Sequence, residues 1–260
     1  MIKEKMKNIS GWVLAPLVGL TMLASTSANA IPSLQLDIPN GTYVGGQDET
    51  VYASSNSFSL YAYLIPDAKA PLTDNYFLSM ALVPPTSVAG PYGSFTFNST
   101  PMSVTGSMTY GTPPLDATLA LAGFDNGDLS KHSIFPTYYY QQVFNFSLGN
   151  TATPYDTIAH PGSSPDTNGS GMYFAKFDFN VSGLAAGYGI HFDLYSEKLI
   201  QKCANSICTT TDIDANQFAP FSHDAQGMVT TIPEPETYAM LLAGLGLMGF
   251  VARRRQQVSA

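Results

Sequence analysis

The sequence predicts an all-β domain, an antiparallel sandwich or jelly roll, and three observations predict it. Apolar and polar residues alternate with period two in several separate stretches, Pro- and Gly-rich breaks divide these stretches, and no long window of helical periodicity lies between Ile31 and Ile232. Period two sends alternate side chains to opposite faces, so each stretch reads as a half-buried strand. The 15 Tyr and 15 Phe residues agree, because aromatic side chains suit a pleated surface. Without helical crossovers to join parallel neighbours, short strands separated by turns pair antiparallel.

In chain order, residues 1–30 come first. Lys3, Lys5 and Lys7 precede an apolar run from Gly11 to Ala24, and Ala28-Asn29-Ala30 follows. That basic, apolar, small-residue order predicts a secretory signal peptide, passed through the general secretion machinery and cut by signal peptidase after Ala30. The predicted mature chain starts at Ile31, and residues 31–230 form the exported β domain.

Within it, "SNSFSLYAYLIP" sets Phe58, Leu60, Ala62 and Leu64 on one face against Ser57, Ser59, Tyr61 and Tyr63 on the other. "MYFAKFDFNV" repeats the pattern, with Tyr173, Ala175, Phe177, Phe179 and Val181 opposite Lys176, Asp178 and Asn180, and "GIHFDLYS" repeats it again. "VPPTSVAGPYG" and "IAHPGSSPDTNGSG" are the breaks, the latter read as an exposed loop. Outward tyrosines such as Tyr61 and Tyr63 offer rings on which a sugar can stack, while also being ordinary strand formers.

Candidate ligands are few. His191 and Asp193 share one strand face, because side chains two apart project together, and so make a possible metal or sugar pair on the outer surface of the sandwich. Asp212-x-Asp214-x-Asn216 has the alternating oxygens that start a calcium loop. Gln217 then stands where that loop needs glycine and His223 where it needs a bidentate glutamate. Ca2+ held there, or by the "DNGD" turn at Asp125–Asp128, is the one cofactor considered, and otherwise none is expected. Ser222, His223 and Asp224 adjoin one another, which carries no catalytic geometry, since such groups meet from separate elements, and His223 and Asp224 join His191, Asp193, Asp212 and Asp214 as candidate ligand or metal residues. With no nucleophile elbow, zinc-protease pair or phosphate loop present, the expectation is that the chain is not an enzyme.

Cys203 and Cys208 are the two cysteines, and export into an oxidising compartment predicts a local disulfide between them. Six of the 11 basic residues and three of the 19 acidic ones lie in the terminal segments, leaving 5 basic against 16 acidic side chains between Ile31 and Ile232. A middle so acidic excludes nucleic acid as a partner, since phosphate contacts need a basic face.

The tail, residues 231–260, contains Gly244-x-Gly246-x-x-Gly249, the spacing of a dinucleotide-binding turn. Here it follows Pro233-Glu234-Pro235 rather than a strand, and the acidic residue that such a fold needs about 20 positions later is absent. Tyr238 to Ala252 instead reads as an apolar helix, about 22 Å long at ~1.5 Å per residue. It predicts a short transmembrane span through the inner membrane, with Arg253, Arg254 and Arg255 on the cytoplasmic side.

Pro233-Glu234-Pro235, the apolar helix and the arginine cluster, in that order, resemble the PEP-CTERM sorting signal of Gram-negative bacteria. The resemblance implies recognition by a membrane protease, exosortase, and removal of the tail during export, in species that make extracellular polysaccharide. Separately, "LQLDIPNGTY", "FSLYAYLIP", "HSIFPTYYYQ", "IHFDLYS" and "FAPFSHDA" resemble the choice-of-anchor N family of bacterial surface proteins. That implies a self-contained exported domain on an interchangeable anchor, and no catalytic residues. The expectation is therefore a non-enzymatic protein of the cell surface or extracellular matrix, held transiently in the inner membrane by its tail and associated with exopolysaccharide. A carbohydrate-binding module or adhesin is the alternative, and a jelly-roll hydrolase the third reading.

Overall fold

The alternating pattern becomes strands wherever it was read and in several places where it was not. The computed structural model describes residues 31–45, 49–114, 128–129, 134–229, 244–245 and 248. All of them fall in the unit Ile31–Ala260. The signal peptide with Ala28 and Ala30, the motif Pro233-Glu234-Pro235, the arginines 253–255 and nearly all of the helix 238–252 lie outside the described residues. Among those described, no helix is long and apolar enough to cross a membrane.

The strands are β1 Leu34–Asp37, β2 Thr42–Val44, β3 Thr50–Tyr52, β4 Ser57–Leu64, β5 Tyr76–Val83, β6 Ser94–Phe97 and β7 Thr100–Ser103. They continue with β8 Thr109–Gly111, β9 Thr137–Phe144, β10 Thr151–Ala152, β11 Met172–Asn180, β12 Gly189–Ala204, β13 Ile207–Phe218 and β14 Asp224–Met228. One sheet runs β1-β4-β11-β6-β7, with β10 beside β11, and the other runs β2-β3-β14-β12-β5-β9-β8, with β13 beside β12. All pairings are antiparallel except β14 with β3, so the second sheet is mixed rather than purely antiparallel as expected.

The two sheets face each other through the apolar half of each alternating run. Phe58 on β4 and Phe179 on β11 meet Phe192 on β12 with ring centroids 6.0 and 4.6 Å apart. Leu60, Leu64, Leu78, Leu82, Ile190 and Leu194 fill the same layer. Gly227 on β14 lets it close, since a Cβ there would lie 2.4 Å from the Phe58 ring.

The outer faces are less open than alternation implies. Beside the first sheet, the loop 153–163 covers Gln35 and Asp37: Gln35 Nε2 donates to the Tyr155 carbonyl at 3.1 Å and Gln35 Oε1 accepts from Thr157 N at 2.9 Å. Tyr63 is buried under the same cover, its hydroxyl 3.0 Å from that of Tyr155, so it is no exposed sugar platform. On the second sheet, Tyr195 on β12 packs with Tyr139, Phe135 and Leu129 in a separate cluster. The polar face of β12 is therefore inside the protein from His191 to Tyr195, while the strand beyond Ser196 is largely exposed.

Candidate functional site

The site begins with a change of neighbours along β12. Residues Gly189–Phe192 pair with β14 and Tyr195–Ala204 pair with β13 on the same edge, while β5 runs along the other. Between β13 and β14, Pro220 and the 3-10 turn Phe221–His223 redirect the chain. Asp224 opens β14 there. Because His191 pairs with Gln226 and Phe192 with Ala225, Asp193 and Asp224 come opposite each other on the face that carries His191.

His191 Nε2 lies 3.2 Å from Asp224 Oδ2 and 3.6 Å from Asp193 Oδ1. His191 Nδ1 lies 3.3 Å from Gln226 Oε1, whose amide nitrogen points to Met228 Sδ. The three residues His191, Asp193 and Asp224 are 1 %, 4 % and 2 % exposed. Among the described residues they are the group whose metal-binding atoms converge, all within 4.8 Å of one another. Oδ1 of Asp224 is buried without a hydrogen-bond partner.

Burial opposes a charge on His191, but the facing carboxylates of Asp193 and Asp224 outweigh it and lift the imidazole pKa to about 10. Burial raises the Asp224 pKa in turn, against the pull of His191 and Thr50. With nothing else bound, the group is an imidazolium clasped by two carboxylates. Chemically it can hold a proton or a cation between three ligand atoms, with Gln226 fixing the ring from behind.

The other predicted ligands do not join it. Asp212 and Asp214 lie within β13, opposite Ile200 and Lys198, so the stretch considered for calcium is an extended strand and not a loop. Burial and the charge of Asp212 raise the Asp214 carboxyl. Of "DNGD", Asp125 to Gly127 lie outside the described residues. His223 turns away from Asp224: its Nδ1 meets Ser222 Oγ at 2.9 Å and its Nε2 meets Asp156 Oδ1 at 3.3 Å. Asp156 therefore takes the place beside His223 that adjacency in sequence offered to Asp224. Asp156 also accepts Ile158 N at 2.8 Å, which marks it as part of the covering loop. Burial lowers the His223 pKa although Asp156 opposes this, and the histidine is itself 4 % exposed.

Sequence reasoning missed two contributors. Gln226 carried a signal, since it stands two residues from Asp224 and shares its face. Asp156 carried none, because its partner His223 comes from a distant part of the chain. The predicted disulfide Cys203–Cys208 is present.

The β sandwich and its buried histidine–carboxylate cluster define an all-β domain and no finer class. The finer statement comes from the tail. Residues 231–255 match the model of the PEP-CTERM protein-sorting motif, which marks the chain as an exosortase-targeted surface protein, exported and associated with the cell envelope. No curated protein and no solved structure gives a significant match, and the comparisons do not support the choice-of-anchor N resemblance.

Proposed function

We propose that this chain is a non-enzymatic surface or matrix protein in which the β domain is the cargo and the tail a disposable address. The observation that carries the reading is the sorting motif at residues 231–255, which begins just beyond the last strand. On this reading the signal peptide starts export, the apolar segment 238–252 halts the chain in the inner membrane, and exosortase releases the domain near Pro233. The burial of His191, Asp193 and Asp224, 1–4 % exposed, supports a non-enzymatic role, since reacting groups need contact with a substrate. Replacing Pro233-Glu234-Pro235 by alanine in the native host tests the proposal. Labelling of intact cells with an impermeant reagent is expected to fall to background, and an unchanged surface signal would overturn it.

A carbohydrate-binding role is the second reading, and a groove of about 610 Å³ on the first sheet favours it. Ser57, Ser59, Tyr61, Lys176 and Asp178 line it together with Asn40. Ser59 Oγ donates to Asp178 at 2.7 Å and Lys176 Nζ lies 2.9 Å from the same carboxylate, so the polar groups form a connected row. The Tyr61 ring stacks on Tyr63 at 6.1 Å and stands half-buried at the groove, suited to the flat face of a sugar ring. Extracellular polysaccharide retained on a column of the chain is expected to lose affinity roughly threefold to tenfold in Tyr61→Ala. Retention unchanged by that substitution removes the groove from the account.

A further inference from the structure

We propose that His191, Asp193 and Asp224 form a buried, structural site for a first-row divalent cation, with zinc the best match. The geometry is the first reason. In a tetrahedral zinc site with ligands at ~2.0–2.2 Å, neighbouring donor atoms stand roughly 3.3–3.6 Å apart. The contacts of His191 Nε2 to the two carboxylates, 3.2 and 3.6 Å, are close to those edges.

Hydrogen bonding is the second reason. Gln226 Oε1 can only accept, so it keeps a proton on Nδ1, and Nε2, which faces the two carboxylates, is the ring nitrogen left to bind a cation. A carbonyl oxygen behind the outer ring nitrogen is the usual support of a metal-bound histidine. Asp224 Oδ1, buried and without a hydrogen-bond partner, is a further donor atom beside the same centre.

Charge is the third. Two carboxylates share this dry pocket, and a divalent cation neutralises both, where buried charge is otherwise costly. The donor set also chooses the ion. Calcium takes six to eight oxygens, while one imidazole with two carboxylates suits zinc and its neighbours. Enclosure makes the role structural: the ion ties β12 to β14 where the β12 ladder changes partner. This inference does not rest on the sorting motif or on polysaccharide binding.

The test uses the chain recovered from the envelope with its disulfide intact. It is unfolded in guanidinium with a chelator, then refolded by dilution with either chelator or a small excess of Zn2+, and freed of unbound metal. Elemental analysis is expected to find one zinc per chain in the second sample, with a Tm higher by roughly 5–10 °C than in the first. Asp224→Asn and His191→Gln are expected to refold with far less zinc. Because either variant can fail to fold, the wild type carries the decision as well: refolded wild type with native circular dichroism and no stoichiometric zinc overturns the proposal. So does zinc retained equally by wild type and both variants.

Discussion

Asp37 is a carboxylate held under a loop, and its surroundings set how the domain responds to pH. Burial raises its pKa to about 6, although Ile38 N at 2.8 Å, Gly162 N at 2.9 Å and the Tyr155 hydroxyl at 3.2 Å all favour the charged form. A carboxyl raised in the folded state binds its proton more tightly there than in the unfolded chain, so this group destabilises the fold above about pH 6 and ceases to do so below about pH 4. Asp37→Asn keeps the acceptor and removes the charge. Its stability relative to wild type is expected to be greater at pH 7.5 than at pH 4 by about 2–3 kcal/mol, read from urea unfolding at both values. A difference that does not change with pH contradicts the assignment. At the sheet interface, Gly227→Ala pushes a methyl into the Phe58 ring and is expected to cost about 1–3 kcal/mol in the same assay. Neither residue announced its role in sequence. Gln35 and Asp37 look like the wet side of a strand, and what dries them is a loop roughly 120 residues further along the chain. His191 and Asp193 were legible as a pair because period two is local, while Asp224 needed the register between strands that only the fold supplies.

Among the elements, the hairpin of β12 and β13 departs furthest from expectation. "GIHFDLYS" predicted a strand of ordinary length, but β12 continues to Ala204, past the edge where its neighbours end. Local alternation stops at Ser196, so the extension was not readable there. The cysteines were the better clue. They form a cross-strand pair beside a turn at Asn205 and Ser206, both with positive φ, the backbone of a two-residue hairpin turn. Leu199 and Ile207 are exposed on this arm, so little apolar burial holds it. A disulfide closing so short a loop contributes about 2 kcal/mol at most, and that contribution is local. Changing both Cys203 and Cys208 to serine is therefore expected to speed amide exchange between Glu197 and Thr211 while leaving Gly189 to Leu194 protected. Equal loss of protection in both halves would show that the arm and the sandwich unfold together. β4 and β11 were legible to within a residue or two because one face of each is core and the other polar. The β13 aspartates lie on a strand where turn chemistry was read, since alternating Asp also suits one face of a strand.

At the scale of the whole molecule, the domain and its tail follow separate logics. The sandwich is built from aromatic contacts between two sheets, carries a strongly acidic balance, and has a groove and a buried cluster whose residues lie outside the sorting motif. The tail matches a known sorting motif over residues 231–255, and its order of Pro-Glu-Pro, apolar run and arginines was fully legible because a recognition signal is linear. The groove and the buried cluster were not legible, because their residues are assembled from separate strands. Intact mass of the chain recovered from the envelope of its native host tests the central claim most directly. The account predicts a mass lacking both residues 1–30 and everything beyond about Pro233, and two hydrogens lighter than the reduced chain through the Cys203–Cys208 bond. Recovery of most of the protein with Arg253, Arg254 and Arg255 still attached would contradict it.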